Sequence, residues 1–574
     1  MLTIEVNKRP IQAKSGETIL SALKRAGINV PTLCFMEGLF PSGACRLCVV
    51  EVEGQRSLVP SCAFPVADGM KIQTHSPRAL RARKTIVELL LANHPDDCLY
   101  CVRNRDCLLQ GLAEELGVRQ RRYVGEKNDY KEDTSSPSLV RDPAKCILCG
   151  KCVRVCEETQ GVAAIDFIAR GSKARIGTAF DRGLNVSSCI NCGQCIMVCP
   201  TGALREQSSL KEVVDALNDP DRLVVVQHAP AVSVTLAEEF GLKPGADMAG
   251  VMTAALRKLG FDRVFDTSFA ADLTIMEEAS ELVERITQKT APLPMFTSCS
   301  PGWIKFVEQS YPEFVPNLST CKSPQQMLGA ITKSYFAQRE GVDPANIFSV
   351  SIMPCTAKKF EAGRPEMGQN GLPDIDAVLT TRELGRLIHM RGLHLETMEP
   401  EGADTPFGER SAAGKLFGAS GGVMEAALRT AYHMITGKEL PGLKVQAVRG
   451  MKGIKEARVK VGGLALGVAV ASGLGNARRI LDEIKAGRRD LHFIEVMTCP
   501  GGCIAGGGQP LSADLESVRA RMQALYNIDR DEPVRTSHTN KAVKRLYDEF
   551  LGKPLAGKAH HLLHTHYATR EAII

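Results

Sequence analysis

Apolar and polar residues alternate through Leu2–Val6 (LTIEV), a pattern that predicts a strand. Ser15-Gly16 then marks a turn, and Thr18–Ala26, stopped by Gly27, predicts a short helix. Cys48–Glu53 (CVVEVE) predicts a second strand, and Pro77–Asn93 a helix with Arg78, Arg81 and Lys84 along one side. Periodicity then fades and returns after Asp221 as an α/β rhythm. Leu223–Val226 predicts a strand leading into His228-Ala229-Pro230, followed by a helix over Met248–Leu259, a strand at Val264–Asp266, a helix over Thr274–Ile286 and a strand at Pro294–Thr297. Ile347–Met353 and Ala377–Leu379 continue the series. In an open α/β sheet the loops at strand ends gather reactive groups, so the chemistry is expected where these strands stop.

Three such loops stand out: Thr297–Trp303 (TSCSPGW), Met353–Glu361 (MPCTAKKFE) and Glu495–Gly506 (EVMTCPGGCIAG). They present Cys299, Cys355, Cys499 and Cys503 amid glycine and proline rather than in apolar runs, which argues for soft metal ligands over ordinary buried thiols. Phe417–Arg429 (FGASGGVMEAALR) looks like a phosphate-cradling glycine loop. It lacks the Gly-Lys-Ser/Thr ending, so a tight turn into a helix beside the site is the expectation.

The length of 574 residues fits about four domains. No apolar run reaches the ~18 residues of a membrane span. Met1–Lys24 carries neither an apolar signal core nor a twin-arginine motif. The net charge of +6 comes without a basic stripe interleaved with aromatics, so no nucleic-acid partner is expected. Twenty cysteines with no export signal point to a cytoplasmic, reducing setting and metal ligation rather than disulfides.

The remaining cysteines sort into groups by spacing except Cys321, which has no assigned role and reads as a small buried hydrophobe. Cys34-x10-Cys45-x2-Cys48-x13-Cys62 resembles a plant-type [2Fe–2S] ferredoxin with a changed first gap, hence the broader β-grasp class; a structural zinc site is the competing reading. Cys98-x2-Cys101-x5-Cys107 leaves one ligand place of a cluster open, and His94 stands ready to fill it with an imidazole nitrogen. Two runs, Cys146-x2-Cys149-x2-Cys152-x3-Cys156 and Cys189-x2-Cys192-x2-Cys195-x3-Cys199-Pro200, follow the bacterial ferredoxin pattern in which the fourth cysteine crosses to the other cluster. Cys146, Cys149, Cys152 and Cys199 are then expected to share one [4Fe–4S] centre, and Cys189, Cys192, Cys195 and Cys156 the other. Arg119, Arg121 and Arg122 read as a solvated face, with an acidic partner as the lesser alternative. The tail over Arg535–Thr569 is helical and then histidine-rich; His560 and His564 are spaced for a metal, but a plain wrapping segment is the expectation.

Taken together, these residues resemble the [FeFe]-hydrogenases from end to end, in the long bacterial form with four accessory clusters. The similarity is greatest to the catalytic subunit of multimeric NAD(P)-linked hydrogenases, with a stand-alone ferredoxin-dependent enzyme also similar. The resemblance implies a multidomain α/β and α+β chain: a β-grasp [2Fe–2S] domain over 1–78, a [4Fe–4S] domain with one histidine and three cysteine ligands over 79–125, a two-cluster ferredoxin-like domain over 138–208 and a two-lobed α/β catalytic domain over 209–574, ending in a small-subunit-like segment from about residue 510. It implies reversible hydrogen oxidation and proton reduction at an H-cluster, a [4Fe–4S] cubane joined to a two-iron unit with CO, cyanide and a dithiolate. One [2Fe–2S] and three accessory [4Fe–4S] clusters would relay electrons. Partners would be H2 and protons, a ferredoxin or a flavin- and NAD(P)-binding subunit, and maturation proteins.

By match to the motifs, Cys503 is the bridging cysteine and Cys355 and Cys499 are cubane ligands. Lys358 would hold one cyanide by a charge-assisted hydrogen bond, and Ala229 and Pro230 resemble backbone contacts to the other. Gln325, Met353, Phe417 and Met497 would line an apolar pocket. Protons would pass from Cys299 through Glu278, Ser319 and Glu281 to Arg285 at the surface; without the resemblance, those charges read as a solvated helix stripe. The first loop departs from the family's usual pair of adjacent cysteines, having Cys299-Ser300 instead. Position by position, Cys299 is the proton relay and Ser300 takes the ligand place, although a serine oxygen is a poor iron–sulfur ligand. With a shifted loop, Cys299 ligates and Ser300 relays. Two other readings compete: a non-catalytic electron-transfer subunit, since residues 1–208 also resemble the iron–sulfur subunit of NADH dehydrogenases, and an assembly or sensory hydrogenase-like protein.

Overall fold

The computed structural model describes residues 1–511 and 514–572. The first unit is a five-stranded sheet in the order Arg9–Ala13, Leu2–Val6, Lys71–Gln73, Val49–Val52, Val59–Pro60. Leu2–Val6 and Lys71–Gln73 pair in parallel at its centre, and the other pairs are antiparallel. Helix Ile19–Arg25, capped by Thr18, packs Ile19, Leu20, Ala22 and Leu23 into the core of this sheet.

Helix Pro77–Asn93 has the bounds the sequence predicts, because Ser76 caps it and Pro77 occupies its first turn, where the missing N–H costs nothing. Of its basic residues, Arg81 is exposed, whereas Arg78 and Lys84 donate to the Arg56 and Gly117 carbonyls at 2.8 and 3.0 Å. The buried Arg83 pins the helix to the sheet through the Val49 and Thr74 carbonyls at 2.8 and 2.7 Å.

The region from residue 138 to 208 is closed by strands Leu139–Arg141 and Leu204–Glu206, which pair antiparallel. Beyond it lie two four-stranded sheets. One runs Arg263–Asp266, Leu223–His228, Ile347–Met353, Ala377–Thr380, wholly parallel. The other runs Met295–Phe296, Phe493–Met497, Leu464–Ser472, Ile454–Val461, parallel except for its last pair. Helices Thr267–Thr287 and Gly422–Thr436 contact each other along this part of the chain. The fold is thus multidomain and mixed α/β, with a two-lobed C-terminal part, as expected.

Two local expectations are corrected. The long helix begins at Thr267, not Thr274: Asp266 caps it by accepting from Ser268 N at 2.8 Å, and its first turns are buried all round, which erases the amphipathic signal. The pair Ile454–Val461 and Leu464–Ser472 was not anticipated, because the latter is almost wholly buried and reads as a continuous apolar run. Among the described residues no helix is long and apolar enough to cross a membrane.

Candidate active site

The strands Leu223–His228, Ile347–Met353 and Phe493–Met497 all end at one partly enclosed cavity of about 90 Å³. Its lining is almost wholly apolar and includes Met353, Phe417, Met497, Ala229, Pro230 and Gln325, together with Cys299, Ser300, Cys355, Cys499 and Cys503. The three loops singled out in the sequence therefore meet at one place. Cys503 follows Gly502, whose φ of +98° and whose place against the chain (a Cβ there would lie 2.5 Å from Ser420 N) require glycine. Burial and the nearby Cys355 push the Cys503 thiol up to about 12. Burial, Cys355 and Cys192 hold Cys499 well above the ordinary thiol range. Burial keeps these thiols neutral, and a cationic, thiophilic centre is the kind of group that would draw them into the thiolate form.

Ser300 and Cys299 face different neighbours. The Ser300 hydroxyl is 2.8 Å from the Thr498 hydroxyl, beside Cys499. The Cys299 thiol feels Glu278 most strongly among side chains, and burial raises it well above its ordinary value. Lys358 donates to the Cys299 carbonyl at 3.1 Å and to Glu361 at 2.8 and 3.1 Å. Gln325 Nε2 reaches Glu361 at 3.1 Å, and Ser323 donates to it at 2.8 Å, so Glu361 is the group that fixes the ammonium. Ala229 spends its N–H on the Ile352 carbonyl at 3.0 Å, and Pro230 has none, so neither can donate a backbone hydrogen bond into the cavity. Ala231, next along the lining, carries an N–H.

The expected proton line lies on helix Thr267–Thr287. Glu278 is 1% exposed, and burial followed by repulsion from Glu281 and Glu495 pushes its carboxyl up to about 8. Its Oε2 has no hydrogen-bond partner. Ser319 donates to Glu281 Oε2 at 2.7 Å, and Arg285 Nε to Glu281 Oε1 at 3.1 Å. These charges are not a solvated stripe. Nor does Arg285 lie at the surface: it is 2% exposed, and its guanidinium is held by the carbonyls of Pro292, Asn317 and Leu318 at 3.3, 3.2 and 2.7 Å.

The eight cysteines of the two ferredoxin-like runs gather as their spacing suggests. A small cavity is lined by Cys146, Cys149, Cys152 and Cys199, and another by Cys156, Cys189, Cys192 and Cys195. The crossing of the fourth cysteine is thus present in the geometry. Cys192 lines both the second of these and the large cavity. Contact there is close: a Cβ on Gly507 would lie 2.3 Å from the Cys192 carbonyl, and Thr356 donates to the Asn191 carbonyl at 2.7 Å. Cys107 Sγ lies 3.7 Å from the carbonyl of Pro200, the residue after Cys199. His94 is buried, with Nδ1 3.0 Å from the Pro95 carbonyl and Nε2 without a partner. In the first domain Cys34 lies beside Cys45 and Cys48 beside Cys62, close enough that ionising one thiol of each pair raises the other.

The glycine loop at Phe417–Arg429 holds no phosphate cradle. The N–H groups of Gly421 and Met424, at the start of helix Gly422–Thr436, donate to Glu495 at 2.6 and 2.7 Å, so the chain supplies its own anion. Arg119, Arg121 and Arg122 are exposed, in keeping with a solvated face, and Arg121 and Arg122 pair there with Asp96 and Glu88. The sequence reading assigned no role to Glu361, Glu495 or Thr498. The first two stand inside the quoted loops as charged residues among small ones, which was the available signal.

Residues 222–507 match the family described as iron only hydrogenase large subunit, C-terminal domain, and residues 515–570 match the iron hydrogenase small subunit. Ahead of them, residues 1–77 match a 2Fe-2S iron-sulfur cluster binding domain, 83–122 the NADH-ubiquinone oxidoreductase-G iron-sulfur binding region and 145–203 a 4Fe-4S dicluster domain. The chain is 48% identical over 585 residues to NADP-reducing hydrogenase subunit HndD of Solidesulfovibrio fructosivorans, spanning 100% of both. It is 42% identical over 575 residues to iron hydrogenase 1 of Clostridium pasteurianum, spanning 99% of this chain and 100% of that one. Among solved structures, a variant of apo [FeFe]-hydrogenase HydA1 from Chlamydomonas reinhardtii superposes with a TM-score of 0.58 at 46% identity, over 63% of this chain and 99% of that one. Matched along its whole length and convergent at the loops where strands end, the chain belongs to the [FeFe]-hydrogenase family.

Proposed function

We propose that the chain interconverts H2 with protons and electrons at the large cavity, fed by four accessory iron–sulfur clusters. The observation that supports this best is the meeting of Cys355, Cys499, Cys503, Ser300 and Cys299 in one apolar cavity, with Cys192 shared with the neighbouring cysteine site. The H-cluster, when bound, supplies the making and breaking of the H–H bond. Cys355, Cys499, Cys503 and Ser300 are the residues that would hold its iron–sulfur part. The position of Ser300 beside Thr498, and of Cys299 toward Glu278, supports that assignment over a shifted loop. Lys358, fixed by Glu361, presents a cation to the anionic ligands. Met353, Phe417 and Met497 keep water out.

Glu278, neutral up to about pH 8, carries a proton it can pass on, and the unpartnered Oε2 leaves it an open acceptor site. Ser319 connects by hydrogen bond to Glu281. For electrons, Cys34, Cys45, Cys48 and Cys62 hold one [2Fe–2S], His94, Cys98, Cys101 and Cys107 one [4Fe–4S], and the two crossed cysteine sets one [4Fe–4S] each. The electron partner is a ferredoxin or a flavin- and NAD(P)-binding subunit, and maturation proteins install the two-iron unit. Twenty free thiols suit a reducing cytoplasm. The test is infrared spectroscopy on protein matured in full: CO and cyanide bands with H2 evolution from a reduced low-potential donor are expected. A matured sample with neither overturns the reading.

A further inference from the structure

Lys305 lies in helix Pro301–Ser310, which leaves the loop of Cys299 and Ser300 and runs against the chain at Cys189. A Cβ on Gly302 would lie 3.3 Å from the Ile190 carbonyl, and Ile190 packs in one core with Trp303, Ile304 and Phe306. The lysine is 5% exposed, a depth at which an ammonium is normally found only with a partner. Among the described residues it makes neither an ion pair nor a hydrogen bond, and its ammonium lies 4.9 Å from the centre of the Phe360 ring. A phenyl face offsets a buried charge only in part.

The carboxylates around it are already taken. Glu308, one turn further along the helix, accepts from Arg364 at 2.5 and 3.1 Å and from Arg570 at 3.1 Å. Arg364 also pairs with Glu366 at 2.5 Å. Lys305, Arg364 and Arg570 thus stand against Glu308 and Glu366, and the surplus positive charge rests on Lys305.

The group that this surplus faces is the cysteine site next to the large cavity. Burial pushes the Cys189 thiol up, and Lys305 is the side chain that opposes it most. Burial pushes the Lys305 ammonium down, and Cys189 is the group that opposes that most. Cys189 shares its cavity with Cys156, Cys192 and Cys195, and Cys192 also lines the large cavity. Four thiolates outweigh the charge on the irons of a [4Fe–4S] centre, so such a centre is anionic in both states and more so when reduced. A fixed cation beside it favours the reduced state.

We propose that Lys305 is the counter-ion of the iron–sulfur centre held by Cys156, Cys189, Cys192 and Cys195, and that its charge raises the potential at which that centre takes up an electron. The step concerned is one electron onto or off the centre, with no bond made or broken. Because Cys192 joins this site to the large cavity, Lys305 makes it a resting place for an electron that leaves the cavity in H2 oxidation. The inference rests on the reading of this site as a [4Fe–4S] centre and does not need H2 turnover.

The experiment uses full-length protein with its accessory clusters loaded: parent, Lys305→Met, Lys305→Gln and Lys305→Arg. Each is titrated reductively with mediators, and the [4Fe–4S] midpoints are read by electron paramagnetic resonance alongside iron content. Lys305→Met keeps the length of the side chain and drops the charge. It is expected to weaken electron uptake at one [4Fe–4S] centre about tenfold, a fall of about 59 mV for one electron, with the parent's iron content. Lys305→Gln is expected to follow it, and Lys305→Arg to titrate with the parent. Midpoints in Lys305→Met and Lys305→Gln equal to the parent's overturn the counter-ion. An equal fall in Lys305→Arg shows that packing over Phe360 sets the potential, and overturns it too. Iron lost from both neutral variants and kept in Lys305→Arg supports it, since the charge then holds the centre in place. A parent without [4Fe–4S] signals withdraws the reading of the site, and the counter-ion with it. A parent with those signals but no H2 turnover after maturation withdraws the hydrogenase reading alone, and the midpoints still decide for or against Lys305.

Discussion

On the proposed assignment, Ser300 and Cys299 divide two jobs that the family usually gives to two thiols. A hydroxyl is a harder and weaker iron–sulfur ligand than a thiolate, so Ser300→Cys is expected to raise the iron retained by the cubane in protein made without maturation factors, measured by iron content and electron paramagnetic resonance. Cys299→Ser is expected to leave that iron unchanged and to cut H2 turnover by about 10²- to 10⁴-fold, the usual worth of a positioned acid–base group. Iron loss in Cys299→Ser would give the ligand place to Cys299. Glu278 permits a second test. Its carboxyl is raised from 4.5 to about 8, so the folded state keeps a proton that the unfolded chain has lost. Stability therefore falls as pH rises from the ordinary carboxylate range to about 8, and is flat beyond it. Glu278→Gln removes that term: its thermal midpoint is expected to rise relative to the parent over this window, while turnover falls. Midpoints that stay parallel across pH would show Glu278 to be an ordinary carboxylate.

At the scale of elements, the strand ends were legible because β-branched runs stop abruptly at Gly- and Pro-bearing loops, as at Ile347–Met353 before Cys355. What was not legible had lost its contrast. The first turns of Thr267–Thr287 and the strand Leu464–Ser472 are buried on every side, and periodicity needs a wet face to show itself. The depth of Arg285 was hidden for a related reason: its spacing from Glu281 fits a helix face, but only the packing of the Asn317 and Leu318 carbonyls against it shows that the face is dry. Glu495 was hidden because its partners are backbone N–H groups, which sequence does not display. Burial raises its carboxyl, while the Gly421 and Met424 donors oppose the shift. Glu495→Ala strands both donors, at about 1–3 kcal/mol each, and is expected to lower the unfolding midpoint of the catalytic lobe and loosen the Phe417 side of the cavity. An unchanged midpoint would mean that water replaces the carboxylate without loss.

Across the whole molecule, the cysteine sites form a series joined by covalent or contact steps: Cys107 against Pro200, Cys199 next to it, then the crossed pair of sites, then Cys192 in the wall of the large cavity. On the proposed function, electrons from a donor at the N-terminal end would reach the cavity along this series, and protons would use the separate line through Glu278. The two can be parted at His94. Its Nδ1 is satisfied by the Pro95 carbonyl and its Nε2 is buried with no partner, the tautomer and orientation of an imidazole prepared for a metal. His94→Ala removes that ligand without touching the cavity. Exchange of H2 with D2O moves protons but draws no net electrons from outside, so it is expected to persist at the parent's rate in matured His94→Ala. H2 evolution driven by a donor docking at the [2Fe–2S] end is expected to fall by about tenfold or more, because a break in the series must be crossed. His94→Cys restores a fourth ligand with an added negative charge, and its cluster is expected to titrate at a lower potential than the parent's. If donor-driven evolution in His94→Ala equalled the parent's, the site of His94, Cys98, Cys101 and Cys107 would lie on a side branch, and electrons would enter the series nearer the cavity.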